Sequence, residues 1–387
     1  MTQLIPRLQS TLGPGPTQLL VIQATPFCNI NCDYCYLPNR GDRQRISRAT
    51  LFKIFEQVFR LPYVNDELSV VWHAGEPLVL PVSFYRDAAL IAGECNRARQ
   101  IAVTHNFQTN GIGLDPHWCD LFKEIPSRIG ISIDGPRAIH DKHRKTKAGK
   151  PTFDLVMAGI GQLRDAGVPF TTISVVTHDS LGRAEEIVEF LHGIGSLQIG
   201  FNIEEIEGPH VDSSLRSDSE GALERFFRAA DRAAYRLGIP IREFNGLRAL
   251  RVEKPMSMLS FQATPLTMIN VDVSGNVSTF SPELLGISDA LYGSFSFLNV
   301  HSGDICQLLQ DARFGAVFGD IVHGVEQCRR SCEYFVYCAG GAPANKLFEN
   351  GTFRSTETLY CRAHVKSIVR ALDLPTIEPN KEYISPK

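Results

Sequence analysis

Hydrophobic positions along the chain follow two alternating patterns. Short apolar runs, "LLVIQAT" (19–25), "LSVVWHA" (68–74), "IAVTHNF" (101–107), "RIGISI" (128–133), "FTTISVVT" (170–177) and "LQIGFNI" (197–203), read as buried strands. Stretches with apolar residues at i, i+3, i+4 spacing follow each of them, at 47–60, 81–97, 115–125, 153–167, 183–195 and 219–238. Ser47 stands where the first helix needs an N-cap. Strand–helix units in a row predict an α/β fold with a parallel sheet and helices outside it. The six units fall short of the eight in a closed barrel, so a partial (β/α)6 barrel with a lateral opening is expected over residues 18–240. A short leader segment, 1–17, precedes it. From about residue 245 the pattern changes: "MINVDVSGNVSTFSPELLG" (268–286) reads as a hairpin turning at Ser274-Gly275-Asn276, "IVRALDLP" (368–375) follows the late cysteines, and the final dozen residues read as a tail. A second domain is therefore expected over 241–387.

Composition adds limits. Of 387 residues, 43% are apolar and 21% charged, as in an ordinary packed protein. A net charge of -3 gives no reason to expect nucleic acid or an acidic membrane as partner. No apolar run approaches the ~18 residues of a membrane span, and the N-terminus lacks the charged and apolar regions of a secretory signal. A cytoplasmic location is expected, where cysteines serve as ligands or buried apolar groups more often than in disulfides.

The ten cysteines are unevenly spread. Cys28, Cys32 and Cys35 lie in "TPFCNINCDYCYLP" (25–38), just after the first strand, with C-x3-C-x2-C spacing. Cys328, Cys332, Cys338 and Cys361 form a late group; Cys95, Cys119 and Cys306 stand alone. Two metal sites follow from this distribution. Spacing alone leaves open, for the triad, an iron–sulfur cluster with one free iron, a zinc ion with a distant fourth ligand, or plain buried thiols. "HAGEP" (73–77), "QTNG" (108–111) and "SIDGP" (132–136) also fall at or just after strand ends, where such folds carry their chemistry. Each has a bland reading: a helix start at Glu76-Pro77, a turn at Asp134-Gly135-Pro136, a surface charge at Arg144.

Taken together, these stretches closely resemble the radical S-adenosylmethionine superfamily, with its C-x3-C-x-aromatic-C signature, Tyr34 being the aromatic residue. The resemblance implies a [4Fe–4S] cluster on Cys28, Cys32 and Cys35 whose open iron binds S-adenosylmethionine. It implies cofactor contacts from Tyr34, Gly75, Glu76, Asn110, Ser132 and Arg144. "HAGEP" resembles the family's Gly-Gly-Glu-Pro, with Ala74 replacing the first glycine. "GISIDGPRAIHDKHR" (130–144) resembles its Ser-x-Asp-Gly-Pro…His-Asp-x-x-Arg stretch.

The late group resembles the SPASM extension of radical enzymes acting on peptides, and implies a Cys-rich iron–sulfur domain with one auxiliary [4Fe–4S] cluster on Cys328, Cys332, Cys338 and Cys361. A structural zinc is the alternative for four thiolates. The family pattern uses seven cysteines for two auxiliary clusters. Here the first gap is x3, Ala342 stands at one expected cysteine, and the G-x4-C cysteine falls on Phe280. The absent positions belong to the first auxiliary cluster, so two clusters in all are expected. Cys306 falls outside the motif and is read as a buried thiol.

Along most of its length the chain resembles anaerobic sulfatase maturases, which oxidise Ser or Cys to formylglycine, but Ser281 stands where they carry an aspartate base. "GNVSTFSPELLG" (275–286) and "CAGGAPANKLFENGTFRSTETLYCR" (338–362) are more similar to cyclophane-forming maturases of glycine-rich-repeat precursor peptides, a group often cyanobacterial. That likeness implies a C–C bond between an aromatic ring carbon and the β-carbon of a residue two positions on. The implied partners are a ribosomal precursor peptide and an external one-electron reductant of the flavodoxin or ferredoxin type, with no nucleic acid and no membrane. The auxiliary cluster would offer an electron exit. Glu283 is the candidate proton acceptor, with Asp272, Glu204, Glu205 and Glu207 competing. A non-catalytic iron–sulfur electron-transfer protein is the reading from another class.

Overall fold

The computed structural model describes residues 14–215, 219–250 and 259–379. Most of the expected leader segment (1–13) and the end of the expected tail (380–387) lie outside the described residues. The predicted strands form β1 (Thr17–Ile22), β2 (Val64–Trp72), β3 (Ala102–Thr109), β4 (Ser127–Ser132), β5 (Thr171–Val176) and β6 (Ile199–Ile203). They pair in parallel in chain order. The helices are α1 (Arg48–Arg60), α2 (Val82–Cys95), α3 (Pro116–Glu124), α4 (Phe153–Asp165), α5 (Ala184–Gly193) and α6 (Glu220–Leu237). Local signals set their ends. The Ser47 hydroxyl accepts from the Thr50 amide at 3.0 Å, and Asp115 caps α3 through the Trp118 amide at 3.1 Å. Gly238 closes α6 in the left-handed region.

Strand side chains alternate between two sides. Leu20, Ile22, Val70, Trp72, Phe107, Ile129, Ile131 and Phe201 pack in the apolar core. Their sequence neighbours Val71, His73, Asn106, Gln108, Ser132 and Asn202 are only half-buried and lie on the opposite face. This second face is mainly polar, and it leads to the strand ends where the cysteine triad begins.

The expected hairpin is present as β7 (Met268–Val271) and β8 (Asn276–Thr279), with the Asp272 carboxylate accepting from the Ser274 and Asn276 amides at its turn. It is not a separate layer. β7 pairs in parallel with β1, β8 runs antiparallel to β7, and β9 (Leu298–Asn299) completes a single sheet of nine strands. The sheet thus runs on across the boundary expected near residue 240. The Gln57 side chain of α1 strengthens the join by donating to the carbonyls of Val300 and Gly303 and accepting from the Ile305 amide.

Three helices of the later region carry its cysteines or their neighbours: α7 (Ala312–Ser331), α8 (Pro343–Asn350) and α9 (Ser367–Ala371). The long α7 was not among the sequence expectations. Its signal is legible in retrospect as Phe314, Val317, Phe318, Ile321 and Val325, all buried on one face, with Asp311 capping two amides. Among the described residues, no helix is long and apolar enough to cross a membrane.

Candidate functional site

The triad leaves β1 on a loop held by backbone contacts. Cys32 closes a three-residue strand, Ile30–Cys32, which pairs antiparallel with Arg144–Thr146 and sets Cys32 opposite Arg144. The Cys28 amide donates to the Arg40 carbonyl at 3.2 Å, and the Arg40 side chain donates back to the Cys32 carbonyl at 3.2 Å. Burial pushes the Cys28 thiol up to about 12 and Cys32 to about 11. Buried thiols of this kind ionise when a metal centre supplies the compensating charge. Among the described residues, no group of three or more His, Cys, Asp or Glu converges tightly enough for a single metal ion. The donor set, thiols on a short loop, fits a cluster.

Asp134, read from sequence as a turn residue, is the hub beneath this loop. Its carboxylate is 1% exposed and receives the Arg144 guanidinium through Nε and Nη2, both at 3.0 Å. It also accepts from the Tyr34 hydroxyl and from the Val175 amide of β5. Burial alone would push its carboxyl up, but Arg144 and these donors more than offset it, and the group lies below the usual carboxylate range. Tyr34 and Arg144 are thus committed to Asp134, and the free edge of Arg144, Nη1, faces Cys32 Sγ at 3.9 Å.

Glu76 is likewise engaged within the chain. It accepts from the Leu78 amide, the Thr109 hydroxyl and the Asn110 amide at 2.9, 2.6 and 2.9 Å, tying the "AGEP" turn to the end of β3. Burial pushes it up to about 7 in spite of these donors. Asn110 reaches Asn29 in the triad loop at 2.7 Å. Gly75 is required for a steric reason: a Cβ there would lie 1.9 Å from the Thr25 carbonyl oxygen, at a φ of +152°. Its own amide and carbonyl have no hydrogen-bond partner among the described residues, although the position is only half-buried. An open backbone carbonyl beside the triad loop suits a ligand ammonium. The Ser132 hydroxyl accepts from Gln108 at 2.8 Å, which leaves its own proton to donate. Of the six expected cofactor-contact residues, Tyr34, Glu76, Asn110 and Arg144 are bonded to or around the triad loop, while Gly75, Ser132 and the Nη1 edge of Arg144 keep polar capacity open.

A second group lies beside Cys35. Tyr36 bonds His73 Nε2 at 2.9 Å, and burial lowers His73 to about 4, so its imidazole is neutral. Burial first, then the charges of Glu283, Glu207, Cys35 and Glu205, raise the Tyr36 phenol well above its ordinary range. Three of the competing carboxylates thus meet around one tyrosine. The Asn345 amide of α8 donates to Glu205 at 2.6 Å and to Glu207 at 3.2 Å. Burial raises the carboxyls of both, with Glu283 adding to Glu205, and Glu205 and Glu283 adding to Glu207; burial also raises Glu283. Glu283 is half-buried, and the Ser281 hydroxyl donates to it. Asp272 and Glu204 stand apart from this role. Asp272 staples the hairpin turn, and Glu204 binds Ser214 and His210.

The four late cysteines line one cavity of about 180 Å³, together with Lys346, Lys366 and Tyr360. Burial pushes Cys338 up to about 11 and Cys361 to about 12. Four thiols lining one cavity fit the auxiliary cluster. The position of the absent family cysteine is closed by an aromatic stack. The Phe280 ring is fully buried and lies 5.8 Å from Phe314 and 6.2 Å from Phe318, nearly parallel to both. Cys306 sits elsewhere, half-buried near Tyr63 and Asp304.

Residues 22–191 match the family model described as the radical SAM superfamily. An uncharacterised protein of Synechocystis is 39% identical over 92% of both chains. A serine-type anaerobic sulfatase-maturating enzyme of Bacteroides thetaiotaomicron is 27% identical over 86% of this chain and 84% of its own. Among solved structures, native anSMEcpe with bound AdoMet and Cp18Cys peptide superposes with a TM-score of 0.76 at 20% identity, covering 92% of this chain and 97% of that one. With the triad loop, its rim and the matching architecture in view, the chain belongs to the radical SAM superfamily.

Proposed function

We propose that this radical SAM enzyme modifies a ribosomally made precursor peptide, forming a three-residue cyclophane between an aromatic ring carbon and the β-carbon of the residue two positions on. When bound, the [4Fe–4S] cluster and S-adenosylmethionine supply a 5′-deoxyadenosyl radical able to take a hydrogen atom, and the auxiliary cluster supplies a one-electron acceptor. Cys28, Cys32 and Cys35 would hold the first cluster, and Cys328, Cys332, Cys338 and Cys361 the second. Gly75 and Ser132 would meet the methionine end of the cofactor, with Arg144 offering its Nη1 edge. Forming the crosslink removes one β-hydrogen, one ring proton and one electron. Glu283 is assigned the ring proton.

The observation that carries this reading is the carboxylate group itself. Glu283, Glu205 and Glu207 meet beside Tyr36 and Cys35, and Glu283 is half-buried with a raised carboxyl. A base with a pKa raised toward neutrality is matched to proton removal at working pH. Phe280 further supports a chain with one auxiliary cluster, because its ring fills the position of the missing cysteine. The boundaries 18–240 and 241–387, and a cytoplasmic location, belong to this proposal.

The likeness to the serine-type sulfatase maturase favours a second reading, oxidation of Ser or Cys to formylglycine. Crosslinking and the oxidation of Ser both remove two hydrogens, whereas a Cys also exchanges its sulfur for oxygen. Anaerobic co-expression with the neighbouring small open reading frame, followed by fragmentation mass spectrometry, separates them. A crosslink leaves a block of backbone bonds uncleaved between the two joined residues, whereas an aldehyde sits on one residue and reacts with hydrazide. An aldehyde product would overturn the cyclophane reading. Absence of 5′-deoxyadenosine from the reduced, cluster-loaded protein would return the chain to the electron-transfer class.

A further inference from the structure

Lys346 is buried, at 4% exposure, inside the later region of the chain. Its ammonium donates to Cys328 Sγ at 3.5 Å, and among the described residues this is its only polar partner. A lysine so placed is unusual, because an ammonium taken out of water needs a compensating anion. A neutral thiol does not supply one. The second lysine at the cavity, Lys366, differs in both respects: it forms an ion pair with Glu357 and keeps its side chain 18% exposed. One cation at the cavity is therefore neutralised by a carboxylate, and the other faces the cysteines alone.

The anion that Lys346 needs is the occupant of the four-thiol cavity. A [4Fe–4S] centre with four thiolates carries net negative charge, and gains one more negative charge on reduction. A nearby fixed cation and an N–H donor to a ligand sulfur both favour the more negative state. Low local dielectric lengthens the reach of that charge. We propose that Lys346 is a positioning residue that raises the reduction potential of the auxiliary cluster, poising it to accept an electron. The inference rests on the reading that Cys328, Cys332, Cys338 and Cys361 hold that cluster. α8 also gives the arrangement a place in the molecule. Asn345 holds Glu205 and Glu207, and the next residue, Lys346, holds the cysteine cavity. One turn of helix thus touches both the carboxylates Glu205 and Glu207 and the cluster pocket.

The test is an electron-paramagnetic-resonance redox titration of the anaerobically reconstituted protein. The variants are Lys346→Met, Lys346→Arg and Lys366→Met, each titrated with S-adenosylmethionine absent. In Lys346→Met the auxiliary midpoint should move to a more negative potential while the triad cluster stays unmoved as an internal reference. Lys346→Arg should restore most of the shift, because it keeps the charge. Lys366→Met should move the midpoint less than Lys346→Met. An unmoved auxiliary midpoint in Lys346→Met with full iron content overturns the proposal. So does loss of one cluster's worth of iron from Lys346→Met and Lys346→Arg alike, since that outcome assigns the residue to assembly. If wild-type protein holds iron for one cluster only, the underlying reading of the late cysteines fails instead, and the two failures are distinguishable by metal analysis alone.

Discussion

Replacing Asp134 by alanine is the sharpest test of how the triad loop is held. Asp134 and Arg144 form a buried ion pair with side chains 1% and 7% exposed. The variant would leave the guanidinium buried beside Cys32 with no carboxylate, and would strip acceptors from the Tyr34 hydroxyl and the Val175 amide. Breaking one side of a buried pair costs about 3–5 kcal/mol, chiefly because the remaining charge stays desolvated. At about 2 °C per kcal/mol, the low end for domains of 150–250 residues, the melting midpoint should fall by about 6–10 °C. The assay is anaerobic scanning calorimetry of reconstituted protein. A double variant, Asp134→Leu with Arg144→Met, is the control. Removing both charges should recover more than half of the loss, because apolar groups of similar size replace a pair whose desolvation offsets most of its attraction. A fall of less than about 2 °C in Asp134→Ala, or no recovery in the double variant, would refute the account of Asp134 as the electrostatic anchor of the loop.

Glu283→Gln should lower crosslinking turnover by about a hundredfold or more, the scale of a general base, while 5′-deoxyadenosine release without product persists; unchanged turnover would remove Glu283 from the mechanism. Glu207 carries a carboxyl raised above its unfolded value by burial and by neighbouring carboxylates. Its protonated form therefore stabilises the fold below the ordinary carboxylate range, and that contribution is lost as pH rises through the raised value. Glu207→Gln should accordingly gain melting temperature on wild type as pH rises from about 5 to about 8, and a flat difference would contradict the shift. Gly75→Ala sets a methyl against the Thr25 carbonyl, so iron loading of the triad should drop, with the late cluster kept as the reference. Phe280→Ala should cost about 3–5 kcal/mol by opening the aromatic stack, measured by thermal unfolding.

Much of this protein is encoded in short stretches. The six strand–helix units, the Ser47 and Asp115 caps, the hairpin at Gly275 and the spacing of both cysteine groups are local properties, set by residues a few positions apart. Periodicity and capping act over one or two turns, so they survive as readable pattern. The resemblance carried by "TPFCNINCDYCYLP" is local for the same reason. What only the tertiary structure decided lies between distant segments. Tyr34 meets Asp134 across 100 positions, and Asn345 meets Glu205 across 140. No spacing rule announces such pairs, because each exists only once the sheet has brought its strand ends together. Asp134 read as a turn and proved to be an anchor; Lys346 carried no signal until its burial beside Cys328 was visible. The parallel pairing of β7 with β1 was equally hidden, since a strand's sequence shows that it is buried but not which edge it will join. The cofactor chemistry was therefore legible from local motifs, whereas the charges that hold and tune it depend on long-range packing.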